Sequence, residues 1–246
     1  MPQKTQVNAG DDDIAIIHRS IIQNQHDSTH ESIAKKQHLG KPTDGLVSRY
    51  INRRLSAPIS RFIVSKFGDV SPNKVTIAVS LFGIASALIY LLNAPIIAGI
   101  AVQIASIIDG IDGEIARMLN KQSKFGALLD SIMDRIVDVL VLTCFSIYTL
   151  KELCTKYRID MLMFIMFMAL SGSILVSYFR ARCESSMGVD PRAIGGMPIA
   201  TRDVRLFIIF IGSILGLYLE TLIIIAVLSY LHVFINIGII LRIADM

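Results

Sequence analysis

From residue 75 onward this chain is a succession of apolar runs, at about 75–92, 94–108, 127–149, 161–179, 204–219 and 221–241, separated by short polar joints. A helix needs about 20 mostly apolar residues to cross a bilayer, and within hydrocarbon it satisfies its own backbone. Several runs are shorter than that, but their ends adjoin helical continuations that can reach into the interface. A soluble domain is excluded by the same pattern, since 53% of the 246 residues are hydrophobic and the mean hydropathy is +0.58. The expected fold is an all-α membrane protein with six transmembrane helices. Asn93-Ala94-Pro95 and Glu220-Thr221 read as tight hairpin joints.

Ahead of the runs, residues 1–41 read as a polar tail and residues 42–246 as the membrane domain. The start has no basic stretch leading into an apolar one, so insertion is expected from the internal segments. His18, His26, His30 and His38 are irregularly spaced and have no cysteine beside them, which reads as a solvated tail rather than a metal site. Between 45 and 67, Leu46, Tyr50, Leu55, Ile59 and Phe62 interleave with Arg49, Arg53, Arg54, Arg61 and Lys66 at helical spacing. That predicts an amphipathic basic helix in the headgroup plane, packed on the end of the bundle and kinked or restarted at Pro58. Ser71 and Pro72 mark the cap and first position of the next helix.

Basic residues give the orientation. The N-terminal arm, the loop with Arg117, Lys121 and Lys124, and the loop with Arg180, Arg182, Arg192, Arg202 and Arg205 fall on one side, opposite Lys151, Lys156 and Arg158. Positive residues stay in the cytoplasm, so both termini are expected there, in the cell membrane. Cys144, Cys154 and Cys183 have neither paired nor metal-binding spacing and read as apolar filler.

On that same side lies DGIDGEIARMLNKQSKFGALLDSIMD, residues 109–134, with four aspartates at the edges of apolar runs. Asp109, Asp112, Gly113 and Ala116 share one helical face, and Gly126, Asp130 and Asp134 share another. The small residues predict close approach of the two helices. Four carboxylates at a membrane boundary repel and lose hydration, so cations must sit among them. Two Mg²⁺ or Mn²⁺ ions suit oxygen donors and leave places for phosphate, and an acid not wholly occupied by metal could take the proton of an attacking hydroxyl.

The pattern Asp109-x-x-Asp112-Gly113-x-x-Ala116-Arg117, eight residues, then Gly126-x-x-x-Asp130-x-x-x-Asp134, resembles the signature of the CDP-alcohol phosphotransferases at every defining position. The resemblance extends over about residues 42–240. It implies transfer of a substituted phosphoryl group from a CDP-alcohol to an acceptor hydroxyl, with release of CMP. It further implies that Asp109, Asp112, Asp130 and Asp134 bind the metals, that Asp134 is the catalytic base, and that Asp109, Asp112, Gly113, Ala116 and Arg117 bind the CDP part. A homodimer is implied too, although no GxxxG face stands out. Membrane lipids are expected around the chain and no nucleic-acid partner.

Arg180, Arg182, Arg202 and Arg205 flank an irregular Gly-rich segment. They read either as topological charges or as forks for the phosphate of the acceptor. DGLVSRYINRR and TRDVRLF are similar to the branch of the family that uses inositol phosphate, as in di-inositol-phosphate phosphate synthases and archaetidylinositol or phosphatidylinositol phosphate synthases. Inositol 1-phosphate is therefore the expected acceptor, with glycerol 3-phosphate or serine, as in phospholipid synthases, the alternative. Some relatives carry a nucleotidyltransferase-like domain ahead of the membrane module, and residues 1–41 are too few for one, so the CDP-alcohol is expected from another protein. A cation-coupled transporter would scatter its acids across membrane depth. A scaffold would neutralise them with Arg117 and Arg135, which leaves too many unpaired.

Overall fold

A computed structural model describes residues 45–188 and 190–244 of the chain. The expected tail over 1–41 lies outside the described residues. A π-helical turn, Ser48–Asn52, leads into α1 (Arg53–Phe67). Then come α2 (Pro72–Leu88, continued by a 3-10 turn Ile89–Leu92), α3 (Pro95–Ile108), α4 (Ile111–Met118) and α5 (Lys124–Leu153). The last three are α6 (Ile159–Met187), α7 (Arg202–Leu215) and α8 (Tyr218–Ala244). No strand occurs among the described residues.

All six expected membrane segments are helical, but they are not equivalent. Among the described residues, four stretches are long and apolar enough to cross a membrane: Pro72–Leu92, Pro95–Met118, Ile159–Met187 and Tyr218–Arg242. Helix α5 is long enough, about 45 Å at 1.5 Å per residue, but its first half carries Asp130, Asp134, Arg135 and Asp138. Helix α7, at about 21 Å, is shorter than the hydrocarbon is thick. Both exceptions supply the site.

Helices α2 and α5, α3 and α7, and α6 and α8 form the main packed pairs. A Cβ on Gly83 would lie 2.8 Å from Val137 Cγ1, and one on Gly99 would lie 2.5 Å from Ser213 Cβ. Those two glycines therefore set the spacing of α2 on α5 and of α3 on α7. Away from the site the core closes on Tyr90, Phe145, Tyr148 and Tyr218, whose rings meet edge-on at 5.0–6.2 Å in three pairs and tilted at 6.3 Å in the fourth. Outward, Leu81, Ile97, Phe164, Phe167 and Phe234 are exposed, as suits a surface solvated by lipid tails.

Three local expectations change. The joint between the last two helices lies at Gly216 and Leu217, where Gly216 takes φ 71° and Leu217 N–H returns to Gly212 C=O, so Glu220 is already in α8. Helix α1 runs unbroken through Pro58, which faces outward. Ser71 does occupy the cap position before Pro72, but its side chain makes no capping bond.

Candidate active site

The aspartate stretch is a helical break followed by two helices. α3 ends at Ile108, and Asp109 and Gly110 connect it to α4. At Gly110 a Cβ would lie 2.6 Å from Arg53 Nη1, so a side chain there would push aside the end of that arginine. Asp112, in the first turn of α4, is buried and accepts the Thr76 hydroxyl of α2. Ser123 caps α5 by accepting from Gly126 N–H at 3.0 Å, which starts the turn that carries Asp130 and Asp134.

The faces bearing Gly113 and Gly126 do not pack on each other as expected. A Cβ at Gly113 would meet only Arg117 Nη1, at 3.5 Å, and one at Gly126 would meet Asn73 Oδ1 and Ser123 Oγ. Both helices lean on α2 instead. The space between them is a cavity of about 140 Å³, lined by Asp112, Gly113, Ala116, Arg117, Gly126 and Asp130 among others. The small residues keep this cavity open rather than bringing backbones together.

A larger cavity of about 260 Å³ lies on the other side of Asp130. Asp109, Asp130 and Asp134 line it together with Arg135, Arg180, Arg192, Arg202 and Arg205. Asp130 thus borders both cavities. Arg202 Nη1 donates to Asp109 Oδ2 at 2.6 Å and lies 2.9 Å from Asp134 Oδ1. Arg180 pairs with Glu184 at 2.8 Å and with Asp190 at 3.3 Å.

Two of the four loop arginines stand differently from the phosphate forks pictured for them. Arg182 is exposed on α6 and is not among the residues lining the cavity. Arg205 is 1% exposed, with Nη2 on Asp138 at 2.5 Å and Nη1 on Ala200 C=O at 2.6 Å, so both terminal nitrogens already hold protein acceptors. It braces α7 against α5. The nitrogens Nε of Arg135, Arg202 and Arg205 and the hydroxyl of Thr201 are buried without a partner at this cavity. Buried donors without acceptors are costly, and an anion with several oxygens would satisfy them.

Sequence reasoning missed three groups. Arg192 and Asp190 pair at 2.6 Å on the cavity wall. Burial would raise the Asp190 carboxyl, but the side-chain and backbone hydrogen bonds of Arg192 and the charge of Arg180 hold it below the usual carboxylate range. His232 and Asn236 of α8 line the same wall. The third group is Glu114, which is fully buried and accepts from Arg53 at 2.9 Å, Ser56 at 2.8 Å and Ser60 at 2.5 Å. With Asn52 donating to Ser106 C=O at 3.0 Å, this fixes the arm over the site. The signal was present: Asn52, Ser56 and Ser60 are four apart and share one strip of the arm, beside that of Leu55, Ile59 and Phe62.

The donor chemistry fits hard divalent cations, since Asp109 and Asp134 already hold a cation, the Arg202 guanidinium, between them. Among the described residues no three metal-ligating side chains converge on one point.

The family model for CDP-alcohol phosphatidyltransferases matches residues 69–241. The chain belongs to that family. It is 36% identical over 197 residues to a bifunctional IPC transferase and DIPP synthase of Aquifex aeolicus, covering 79% of this chain and 44% of that one. A protein of the same description from Thermococcus kodakarensis is 40% identical over 170 residues, covering 67% and 36%. The archaetidylinositol phosphate synthase of Pyrococcus horikoshii is 35% identical over 162 residues, covering 66% and 79%. The chain thus spans less than half the length of the two bifunctional relatives and about four-fifths of the third. In solved structures, the phosphatidylinositol phosphate synthase of Mycobacterium tuberculosis with CDP-DAG bound gives a TM-score of 0.63 at 25% identity, covering 75% of this chain and 92% of that one. The same enzyme with manganese and citrate matches at 24% identity and a TM-score of 0.62, a likeness of fold.

Proposed function

We propose that this protein transfers a substituted phosphoryl group from a CDP-alcohol to a hydroxyl of an acceptor carrying its own phosphate, inositol 1-phosphate, and releases CMP. The observation that carries this reading is the pair of cavities meeting at Asp130. One is lined by Asp112, Gly113, Ala116 and Arg117 and suits the CDP part; the other sets arginines opposite Asp109 and Asp134 and suits an anionic acceptor. The name of one relative, an archaetidylinositol phosphate synthase, supports the acceptor.

The family is metal-dependent, and in this reading Asp109, Asp112, Asp130 and Asp134 hold two ions, Mg²⁺ or Mn²⁺. Bound there, the metal neutralises charge on the transferred phosphoryl group. Arg117 contacts the donor phosphates, and Arg202 and Arg135 orient the phosphate of the acceptor. The acceptor oxygen attacks the phosphorus bonded to the donor alcohol, the bond from that phosphorus to the CMP oxygen breaks, and Asp134 takes the hydroxyl proton. Six membrane helices, a site end at the cytoplasmic face and a homodimer complete the proposal. The grouping of the arm, the 117–124 loop and the 190–202 segment at one end of the bundle supports the orientation, through the positive-inside bias.

The test is CMP release by the purified full chain with Mg²⁺ or Mn²⁺, crossing CDP-inositol and a CDP-lipid with inositol 1-phosphate, glycerol 3-phosphate and serine. Release with inositol 1-phosphate and one of the donors is expected. Release with glycerol 3-phosphate or serine alone would overturn the acceptor, and no release with any pair would overturn the reaction.

A further inference from the structure

Arg202 occupies an unusual place for a residue that binds an acceptor. Its Nη1 sits between the Asp109 and Asp134 carboxylates, at 2.6 and 2.9 Å, while Nε is buried without an acceptor. It is the first residue of α7, just after Ala200 and Thr201; Ala200 N–H bonds His232 and Ala200 C=O accepts Arg205, so the backbone is held while the Arg202 side chain reaches the acids. As placed, its guanidinium bridges the two acids and occupies the position a hard cation between them would take.

We propose that Arg202 is a cationic placeholder: a divalent cation between Asp109 and Asp134 displaces it into the arginine-lined cavity, where it takes the phosphate of the acceptor, so that metal and phosphate bind cooperatively. The inference rests on the metal reading above and extends it. A divalent ion such as Mg²⁺ would bring two charges to about 2.0–2.1 Å from carboxylate oxygens, closer than either nitrogen–oxygen contact here, so it would outcompete one guanidinium for the pair. The displaced guanidinium enters a space already lined by Arg135, Arg180 and Arg192. That position is unfavourable until an anion arrives. Metal binding therefore prepares the phosphate site, and by linkage phosphate must strengthen metal binding by the same factor. The nearby carboxylates offer the arriving guanidinium little free acceptor capacity: Asp190 is engaged by Arg192 and Arg180, and Asp203 accepts from Ser48 N–H at 2.7 Å.

Calorimetric titration of the metal-stripped full chain with Mn²⁺, with and without inorganic phosphate, tests this for wild type, Arg202→Gln and Arg202→Lys. Removing the competing cation should tighten Mn²⁺ binding about tenfold or more in Arg202→Gln, the scale of one charge-assisted hydrogen bond. Arg202→Lys, whose shorter side chain ends before the Nη1 position that touches both acids, should fall between. Phosphate should tighten Mn²⁺ binding about fivefold or more in the wild type, the usual lower range of a coupling free energy, and leave Arg202→Gln unmoved. Equal Mn²⁺ affinity in all three, or equal phosphate coupling, overturns the placeholder while leaving the metal centre standing. Should Arg202→Gln fail to fold, Arg202→Lys decides alone, and Mn²⁺ affinity no higher than wild type overturns the idea. No Mn²⁺ binding by any of them would sink the metal centre itself, and the placeholder with it.

Discussion

The contact most exposed to a single test is the one between Glu114 and the arm. Glu114 is 0% exposed, and its two oxygens accept from Arg53, Ser56 and Ser60. Glu114→Ala leaves a guanidinium and two hydroxyls facing a small void, with Arg53 still bound to Gly110 C=O at 3.3 Å. Breaking a buried charge pair on one side costs about 3–5 kcal/mol. At the lower end, and with 1.4 kcal/mol per decade, about 3 kcal/mol corresponds to a rise of about 150-fold in the population of undocked arm. Because the lipid-facing residues Leu55, Ile59 and Phe62 still hold the arm at the interface, the loss should be local rather than global. Hydrogen–deuterium exchange of residues 53–67 in the full chain in nanodiscs is the direct readout. Exchange there should speed up about 100-fold in Glu114→Ala and by less in Glu114→Gln, which keeps one acceptor oxygen, while α6 and α8 stay protected. Unchanged exchange in Glu114→Ala would show that the carboxylate contributes nothing to docking and would refute the reasoning.

Three further outcomes follow from the same geometry. Asp134→Asn should lower kcat by about 10²–10⁴-fold, the usual scale of a lost general base, with CMP affinity by equilibrium binding kept; equal loss of both would remove Asp134 from the base role. Arg205→Ala should lower the thermal midpoint, since it leaves buried Asp138 with only Ser173 at 3.0 Å and costs about 3–5 kcal/mol. In Arg205→Lys the acceptor KM should stay near wild type, and a rise confined to that constant would return Arg205 to the phosphate site. Gly99→Ala places a Cβ 2.5 Å from Ser213, which itself bonds Tyr90 OH at 2.6 Å, and should destabilise by about 1–3 kcal/mol in a denaturation midpoint; no change would mean that α3 and α7 can separate freely.

Much of this protein is legible in its sequence because the bilayer imposes local rules. Apolar run length gave all six helices, and the spacing of Asp109, Asp112, Asp130 and Asp134 marked the site, since a period of three to four places residues on one face whatever the helix packs against. Pattern could not say what that face meets. Gly113 and Gly126 read as a helix contact and turned out to border a cavity, because a small residue is compatible with either until a third element, here α2, sets the separation. The arginines were likewise visible as charges. Their division into Arg202 on the acids, Arg205 in the core and Arg182 outside depends on which way each side chain turns.

The arm shows the same boundary between local and tertiary information. Its alternation of apolar and basic residues dictated a helix lying at a membrane surface, and Leu55, Ile59 and Phe62 are indeed exposed. That the neighbouring strip of Asn52, Ser56 and Ser60 would be the buried one could not be read from hydropathy, which ranks serine and asparagine as surface residues. Glu114, more than fifty residues away in sequence, makes burial of that strip favourable by supplying acceptors to Ser56 and Ser60, while Ser106 takes the Asn52 amide. The sequence alone determined that four acids stand at the edge of a helical membrane domain. The tertiary structure decided which cation stands between them, because that depends on the meeting of α3, α5 and α7 at one point.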